Sequence, residues 1–179
     1  MKKGGKQDIM SIRTKYEHEL AEVFNKLIAM CHMTENAIEK SVRALKTRDD
    51  DLAREVMAGD KNVDHAEREI EQDCLKILLM EHPVAGDFRD VSAALKMITD
   101  LERIADQAAD ISEISLQFKG EEFIKEPEHI EMMAKIVSAM VKDGVTSYIN
   151  RDLELAKGLD KRDDRVDELF ETVKSDLVE

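Results

Sequence analysis

Acidic side chains recur at a spacing of four along the chain: Asp60 and Asp64, Glu102 and Asp106, Asp106 and Asp110, Asp163 and Asp167. On a helix each pair shares one face, about 5–6 Å apart, where two carboxylates repel unless a cation lies between them. Acids fill about a fifth of all positions, so a single pair carries little weight; its position carries more. Asp60, Glu102 and Asp163 interrupt rows that are apolar before and after them. An ionised carboxylate placed in such a row is costly enough that the site must neutralise it or take up a cation. Two readings stay open on these residues. Acids from neighbouring helices converge to hold a metal, or they mark solvated bundle edges paired with Arg68, Arg103 or Lys96. Oxygen-only ligands favour hard cations such as Mg, Mn, Ca or iron in oxygen coordination over zinc in a thiolate cage. His65, beside Asp64, reads as plain surface more readily than as a ligand.

Other chemistry finds little support. A ferritin-like di-metal oxidase needs Glu-x-x-His on two core helices, and the one such run here, Glu126 to His129, stands at a helix start. No Gly-rich phosphate loop, Cys-x-x-Cys, nucleophile elbow or Ser/His/Asp grouping is visible. No enzyme is expected, although an oxygen-ligated metallohydrolase stays open as a distant reading. Forty acidic against 27 basic side chains give a net charge of −13, which opposes binding to nucleic acid or to bare anionic membrane.

The elements that must position these acids are helices. The chain of 179 residues has 42% hydrophobic residues, seven glycines and two prolines, too little turn chemistry for a sandwich or barrel. Breaks at 47–50, at His82-Pro83, across 118–127 and at 150–152 divide it into five helices over about 8–46, 50–81, 84–116, 127–150 and 153–179. The first carries apolar side chains on a face wide enough to be buried between two other helices. The seam of the second reads Val56, Asp60, Val63, Glu67, Ile70, Cys74, Ile77, and that of the third Phe88, Val91, Leu95, Ile98 and then Glu102. Residues 1–8 read as a disordered tail, since Gln7 and Asp8 stand where a signal peptide needs an apolar stretch. The longest clean apolar run, Ile77 to Met80, is far below the roughly 20 residues of a spanning helix. Cys31 and Cys74 fall in apolar helical patterns and read as reduced core thiols.

An internal repeat organises the whole. A shift of 103 residues pairs Arg48-Asp49 with Arg151-Asp152, Leu52-Ala53 with Leu155-Ala156, Asp60 with Asp163, and Val63-Asp64 with Val166-Asp167. These seven identities fall within positions 48–64, where random pairing gives about one. The predicted fold is therefore an all-α antiparallel bundle of three-helix repeats, the first over 9–120 and a partial second over 127–179, the sixth helix being absent. The fourth and fifth helices then lack a third partner. Their apolar strip, including Ile136, Met140, Val145, Leu155, Leu159, Val166, Phe170 and Val173, is expected to be covered by the first bundle or by a second chain in a two-fold dimer.

At 21–45, at His82-Pro-Val-Ala-Gly-Asp-Phe-Arg89 and at Leu101-Glu-Arg-Ile-Ala-Asp106-Gln-Ala-Ala-Asp-Ile111 the chain resembles the PhoU family of phosphate-uptake regulators. The resemblance implies paired three-helix bundles whose E(D)xxxD motifs bind iron, zinc or other divalent ions. Carried over by position, it makes Asp60, Asp64, Glu102, Asp106 and Asp110 metal ligands, with Asp163 and Asp167 as the repeat of the first two. Ala105 and Gln107 stand where the family more often has Gly and His. The resemblance further implies a cytoplasmic, commonly homodimeric adaptor, peripheral at the inner membrane through its partners. Such an adaptor couples a phosphate ABC transporter to a sensor histidine kinase. The competing reading is a purely structural helical scaffold that binds no metal.

Overall fold

A computed structural model of the protein describes residues 4–80, 85–118 and 127–178, with side chains from Arg13 onward. All of its regular elements are helices: α1 (Gly4–Thr47), α2 (Asp50–Met80), α3 (Ala85–Ser115), α4 (Glu128–Asn150) and α5 (Leu153–Asp176). Among the described residues no helix is long and apolar enough to cross a membrane. Helix α1 begins at Gly4, inside the expected tail, which corrects that expectation for residues 4–8. Lys6, Gln7 and Ile9 all have ordinary helix propensity, and nothing in the stretch stops the helix. The expected helix limits at Glu81, Val84 and Glu179, and the break at His82-Pro83, lie outside the described residues.

Helices α1, α2 and α3 each pack on the other two, α4 lies against α1, and α5 packs principally on α4. The pattern of α1 explains its central place. Tyr16, Leu20, Val23, Leu27, Met30 and Ile38 are buried, and Cys31 on the neighbouring row meets α4, with Sγ 3.9 Å from the Val141 carbonyl. One core therefore runs from α2 and α3 through α1 to Val141 and Val145 on α4. Each fully buried Leu, Ile or Val in it contributes about 1.5–3 kcal/mol. Buried hydroxyls are satisfied by back-bonding within their helices, as Thr34 Oγ1 to the Met30 carbonyl (3.1 Å) and Ser112 Oγ to that of Ala108 (3.0 Å).

On α2 the expected seam holds. Val56, Val63, Ile70 and Ile77 recur every seven residues and are buried. The interleaved row is Asp60, Glu67 and Cys74, of which the two acids are half-buried. On α3 the seam is displaced from the expected one. It runs Val91, Ala94, Ile98, Leu101, Ala105, Ala108, Ser112, Ser115 in alternating steps of three and four, all buried. Phe88 is 53% exposed and Leu95 only partly buried. The small residues Ala94, Ala105, Ala108 and Ser112 continue the row, and large-residue matching overlooks them. Glu102 thus sits on the flank of the seam beside Leu101.

The repeat appears again in the backbone. Among the described residues the non-glycine positions with positive φ are Arg48 (55°) and Arg151 (56°), equivalent under the 103-residue shift. In each copy the following aspartate caps the next helix: Asp49 Oδ1 accepts from the Leu52 N–H and Asp152 Oδ1 from the Leu155 N–H, both at 2.9 Å. The α1–α2 and α4–α5 corners are the same turn.

The C-terminal hairpin departs from the expected strip in register. Val145 is buried and Ile136, Met140, Leu155, Leu159, Val166 and Val173 are half-buried. Phe170, however, is 56% exposed, and Leu169 is the buried residue of α5. The inward row is Leu155, Leu159, Val166, Leu169 and Val173, with Arg162 filling the step between Leu159 and Val166 by reaching Asp143 on α4 (2.5 Å).

Candidate carboxylate site between α2 and α3

Two heptad-spaced helices packed side by side bring together the acids that flank their seams. Asp60 is half-buried between α2 and α3, and its Oδ1 is fully buried with no hydrogen-bond partner. Burial pushes its carboxyl above the ordinary range, and the fields of Asp64, Asp106 and Asp110 add to the shift. Glu102 is raised for the same first reason, burial, followed by the charges of Glu67, Asp106, Asp64 and Asp60. Five of the seven expected ligands, Asp60, Asp64, Glu102, Asp106 and Asp110, therefore share one electrostatic site. Asp106 and Asp110 form its exposed side and Asp60 its buried end.

Among the described residues, cations resolve this crowding only at Asp64. Arg68 reaches Asp64 at 3.3 Å, which gives the solvated-edge reading one of its pairs. Lys96 and Arg103 both turn to Asp100 instead, at 3.0 and 3.9 Å, leaving Glu102 without either. The ring of His65 is 74% exposed and lies 4.0 Å from Glu69, so it is surface. Glu67 was not among the expected ligands. It bears on Glu102 and accepts a hydrogen bond from Thr99 Oγ1 at 3.2 Å. Its place in the same α2 row as Asp60 was a usable signal; nothing in the sequence pointed to Thr99.

Asp163 and Asp167 are not brought to any such site. Both are exposed on α5, whose principal packing is on α4. Asp163 does not interrupt the inward row as expected, because Arg162 supplies that turn's contact with α4.

The donor chemistry of the α2–α3 site fits an oxygen-preferring cation: several carboxylates, one buried oxygen without a partner, and pKa values of Asp60 and Glu102 raised first by burial and then by the neighbouring acids. As they stand, no three His, Cys, Asp or Glu side chains among the described residues are arranged to hold a metal ion. A groove of about 420 Å³ between α1 and α2 opens beside Asp60, lined in part by Gly59 and Ala105 and by the Lys40–Glu55 pair (2.7 Å). The two cysteines are free and buried, as expected.

The PhoU domain family matches residues 27–115 and 130–179, two segments that begin 103 residues apart, the offset of the internal repeat. The chain is 36% identical over 160 residues to the phosphate-specific transport system accessory protein PhoU homolog of Aquifex aeolicus, covering 89% of this chain and 72% of that one. It is 32% identical over 167 residues to the homolog of Clostridium acetobutylicum, covering 93% and 76%. The crystal structure of PhoU from Pseudomonas aeruginosa superposes with a TM-score of 0.86 at 29% identity, over 91% of this chain and 78% of that one. That from Streptococcus pneumoniae, with a TM-score of 0.84 at 21% identity, has the same fold. These relatives carry the names of accessory and regulatory proteins of a transport system, not of enzymes. The chain belongs to the PhoU family.

Proposed function

We propose that the protein is an accessory regulator of phosphate transport: a cytoplasmic adaptor between a phosphate ABC transporter and a sensor histidine kinase, working by protein contact without turnover. The observation that carries this reading is the match of the PhoU domain to both copies of the repeat, together with relatives named for the phosphate-specific transport system. Affinity purification of the tagged chain from phosphate-replete cells tests it. Recovery of a transporter ATPase subunit and a histidine kinase is expected, and recovery of neither would overturn the adaptor role.

A metal belongs to the same proposal. Asp60, Asp64, Glu102, Asp106 and Asp110 would hold a hard divalent or trivalent ion, and its contribution would be to neutralise their mutual repulsion and cross-link α2 to α3. The unpartnered Oδ1 of Asp60 supports this over the purely structural scaffold, since a buried charged oxygen with no donor calls for a counter-charge. Asp163 and Asp167 have no second helix of acids facing them among the described residues, so the reading rests on the first copy. Elemental analysis of protein purified without chelator, beside Asp106→Ala, is the test. The variant should lose metal and melt lower, because an ion bound only to the folded state stabilises it by mass action. Unchanged metal content would refute the assignment.

A further inference from the structure

The motif at 82–89 is not used by the carboxylate site. Arg89 and Glu102 are 13 residues apart on α3, about 20 Å along the helix axis. At the motif's end of the bundle, α1, the first turns of α3, the last turn of α4 and the first turns of α5 enclose a cleft of about 600 Å³. Three arginines from three different elements line it: Arg13 on α1, Arg89 on α3 and Arg151 at the α4–α5 corner. In a chain with a net charge of −13, this is a local concentration of cations that needs a reason.

Three aspartates also line the cleft, and each has a fixed task. Asp87 accepts from Arg13 Nη1 at 2.8 Å, and Asp90 accepts from Arg151 Nη2 at 2.6 Å. Asp152 caps α5. The first two bonds hold guanidiniums in place more than they consume them, because a guanidinium has five N–H donors. Arg13 gives Nε to Glu17 and Nη1 to Asp87, leaving Nη2, while Arg151 keeps Nε and Nη1. Arg89 has no ion pair among the described residues. Beneath them the floor adds no further anion. Tyr148 donates its hydroxyl to the Asp90 carbonyl and Tyr16 donates to that of Asp87. Burial pushes Tyr16 up to about 12, so it stays neutral at physiological pH.

We propose that this cleft binds a phosphoryl oxyanion, either free orthophosphate or the phosphate group of a small ester, through Arg89 with the free edges of Arg13 and Arg151. Guanidinium forks match tetrahedral phosphoryl oxygens by paired hydrogen bonds, and the cleft lies within the size range of small-molecule sites. The inference is independent of the metal reading, since it uses none of the same residues.

Isothermal titration of the full chain, with chelator present so that no ion at the carboxylate site mediates binding, tests it with inorganic phosphate and, separately, ATP. Arg89→Gln and Arg151→Gln are compared with Arg165→Gln, which removes an exposed α5 arginine paired to Glu168 outside the cleft. Saturable binding of phosphate, weakened about tenfold or more by either cleft variant but not by Arg165→Gln, supports free phosphate as the ligand. The same pattern with ATP alone supports an ester. Absence of saturable binding of both at millimolar concentration overturns the proposal. So does equal weakening by Arg165→Gln, which would reduce it to nonspecific ion association. Arg89 is exposed, so its variant keeps the fold and circular dichroism verifies this.

Discussion

Asp60 is where the crowding of the α2–α3 acids is concentrated in one side chain. Its carboxyl is raised by burial and by the acids around it, and so is that of Glu102. Neutral forms of both are therefore favoured by folding. Their contribution to stability is fully present below the ordinary carboxylate values of about 4 and is lost as pH rises through the higher folded-state values. Metal-free protein should thus lose stability from this pair as pH climbs from about 4 towards neutrality. Asp60→Asn keeps the shape and removes the charge. At pH 7 without metal it should raise the melting temperature, relieving about 0.5 kcal/mol for the like-charge pair with Asp64 alone, and it should flatten the pH dependence. In metal-loaded protein the same change should lower metal content, and a thermal-shift series against pH with and without added Mn reads both. If Asp60→Asn destabilises the metal-free protein at pH 7, the carboxylate has a protein partner and the crowding argument fails.

The buried thiols make the opposite case of groups with no task beyond packing. Burial first, then nearby acids, raises Cys31 and Cys74 to about 11. Both should resist a thiol-specific reagent at about pH 8 in the native protein and react at once in denaturant. Rapid native labelling of either would mean that the α1–α2–α3 core opens far more readily than its packing implies.

At the level of elements, the corners were the most legible feature of the sequence. Arg48-Asp49 and Arg151-Asp152 are identical pairs 103 residues apart, and the structure gives both the same left-handed residue followed by the same capping aspartate. Asp49→Ala and Asp152→Ala should each cost about 1 kcal/mol. The loss at Asp49 should show as global destabilisation, and that at Asp152 chiefly as fraying of α5. Gly158 stands inside α5, and a Cβ there would meet nothing within 4 Å. Gly158→Ala should therefore stabilise by about 0.5–1 kcal/mol, measured by urea unfolding. The seam of α2 was equally readable, because valine and isoleucine every seven residues leave no ambiguity. What was not readable follows from side-chain size. On α3 the seam passes through alanines and serines that periodicity weighs lightly, so matching of large residues alone puts Phe88 and Leu95 in the core and Glu102 one residue too deep. On α5 the bulk of Phe170 outweighed its neighbour Leu169, although a helix with only one well-packed side admits the smaller residue and leaves the larger one at the rim. The carboxylate site was legible in its members from α2 and α3 and not in its α5 copy. A sequence shows which acids lie on one helix face; only the packing of a second helix decides whether other acids meet them.

For the whole molecule, the distribution of packing predicts an order of opening. Helices α1, α2 and α3 each pack on the other two, and their shared core contains Leu27, Met30, Ile70, Cys74, Ile77, Val91 and Ile98 at 0–1% exposure. Helix α4 is tied to this core through Val141, Val145, the edge-on contact of Tyr148 with Phe24 (ring centroids 5.5 Å apart) and the Lys46–Glu131 ion pair. Helix α5 packs principally on α4, with Leu169 as its one buried residue. Local opening free energy follows buried apolar contact, so native-state hydrogen exchange should find α5 opening first, α4 next and the three-helix core at the global limit. Leu169→Ala should lower protection in α5 by about 2 kcal/mol or more while leaving α2 and α3 unchanged, and Ile70→Ala should lower the global limit by about 2–5 kcal/mol. Phe170→Glu, on the exposed side of α5, should stay within about 0.5 kcal/mol in the monomer. The same measurement separates the metal reading from the scaffold reading. An ion held by Asp60, Glu102 and their neighbours links α2 to α3, so adding it should deepen protection there and leave α5 where it was. Protection gained in α5 alone would place the ion at Asp163 and Asp167, whereas no gain in any helix would return the acids to solvated edges of a scaffold.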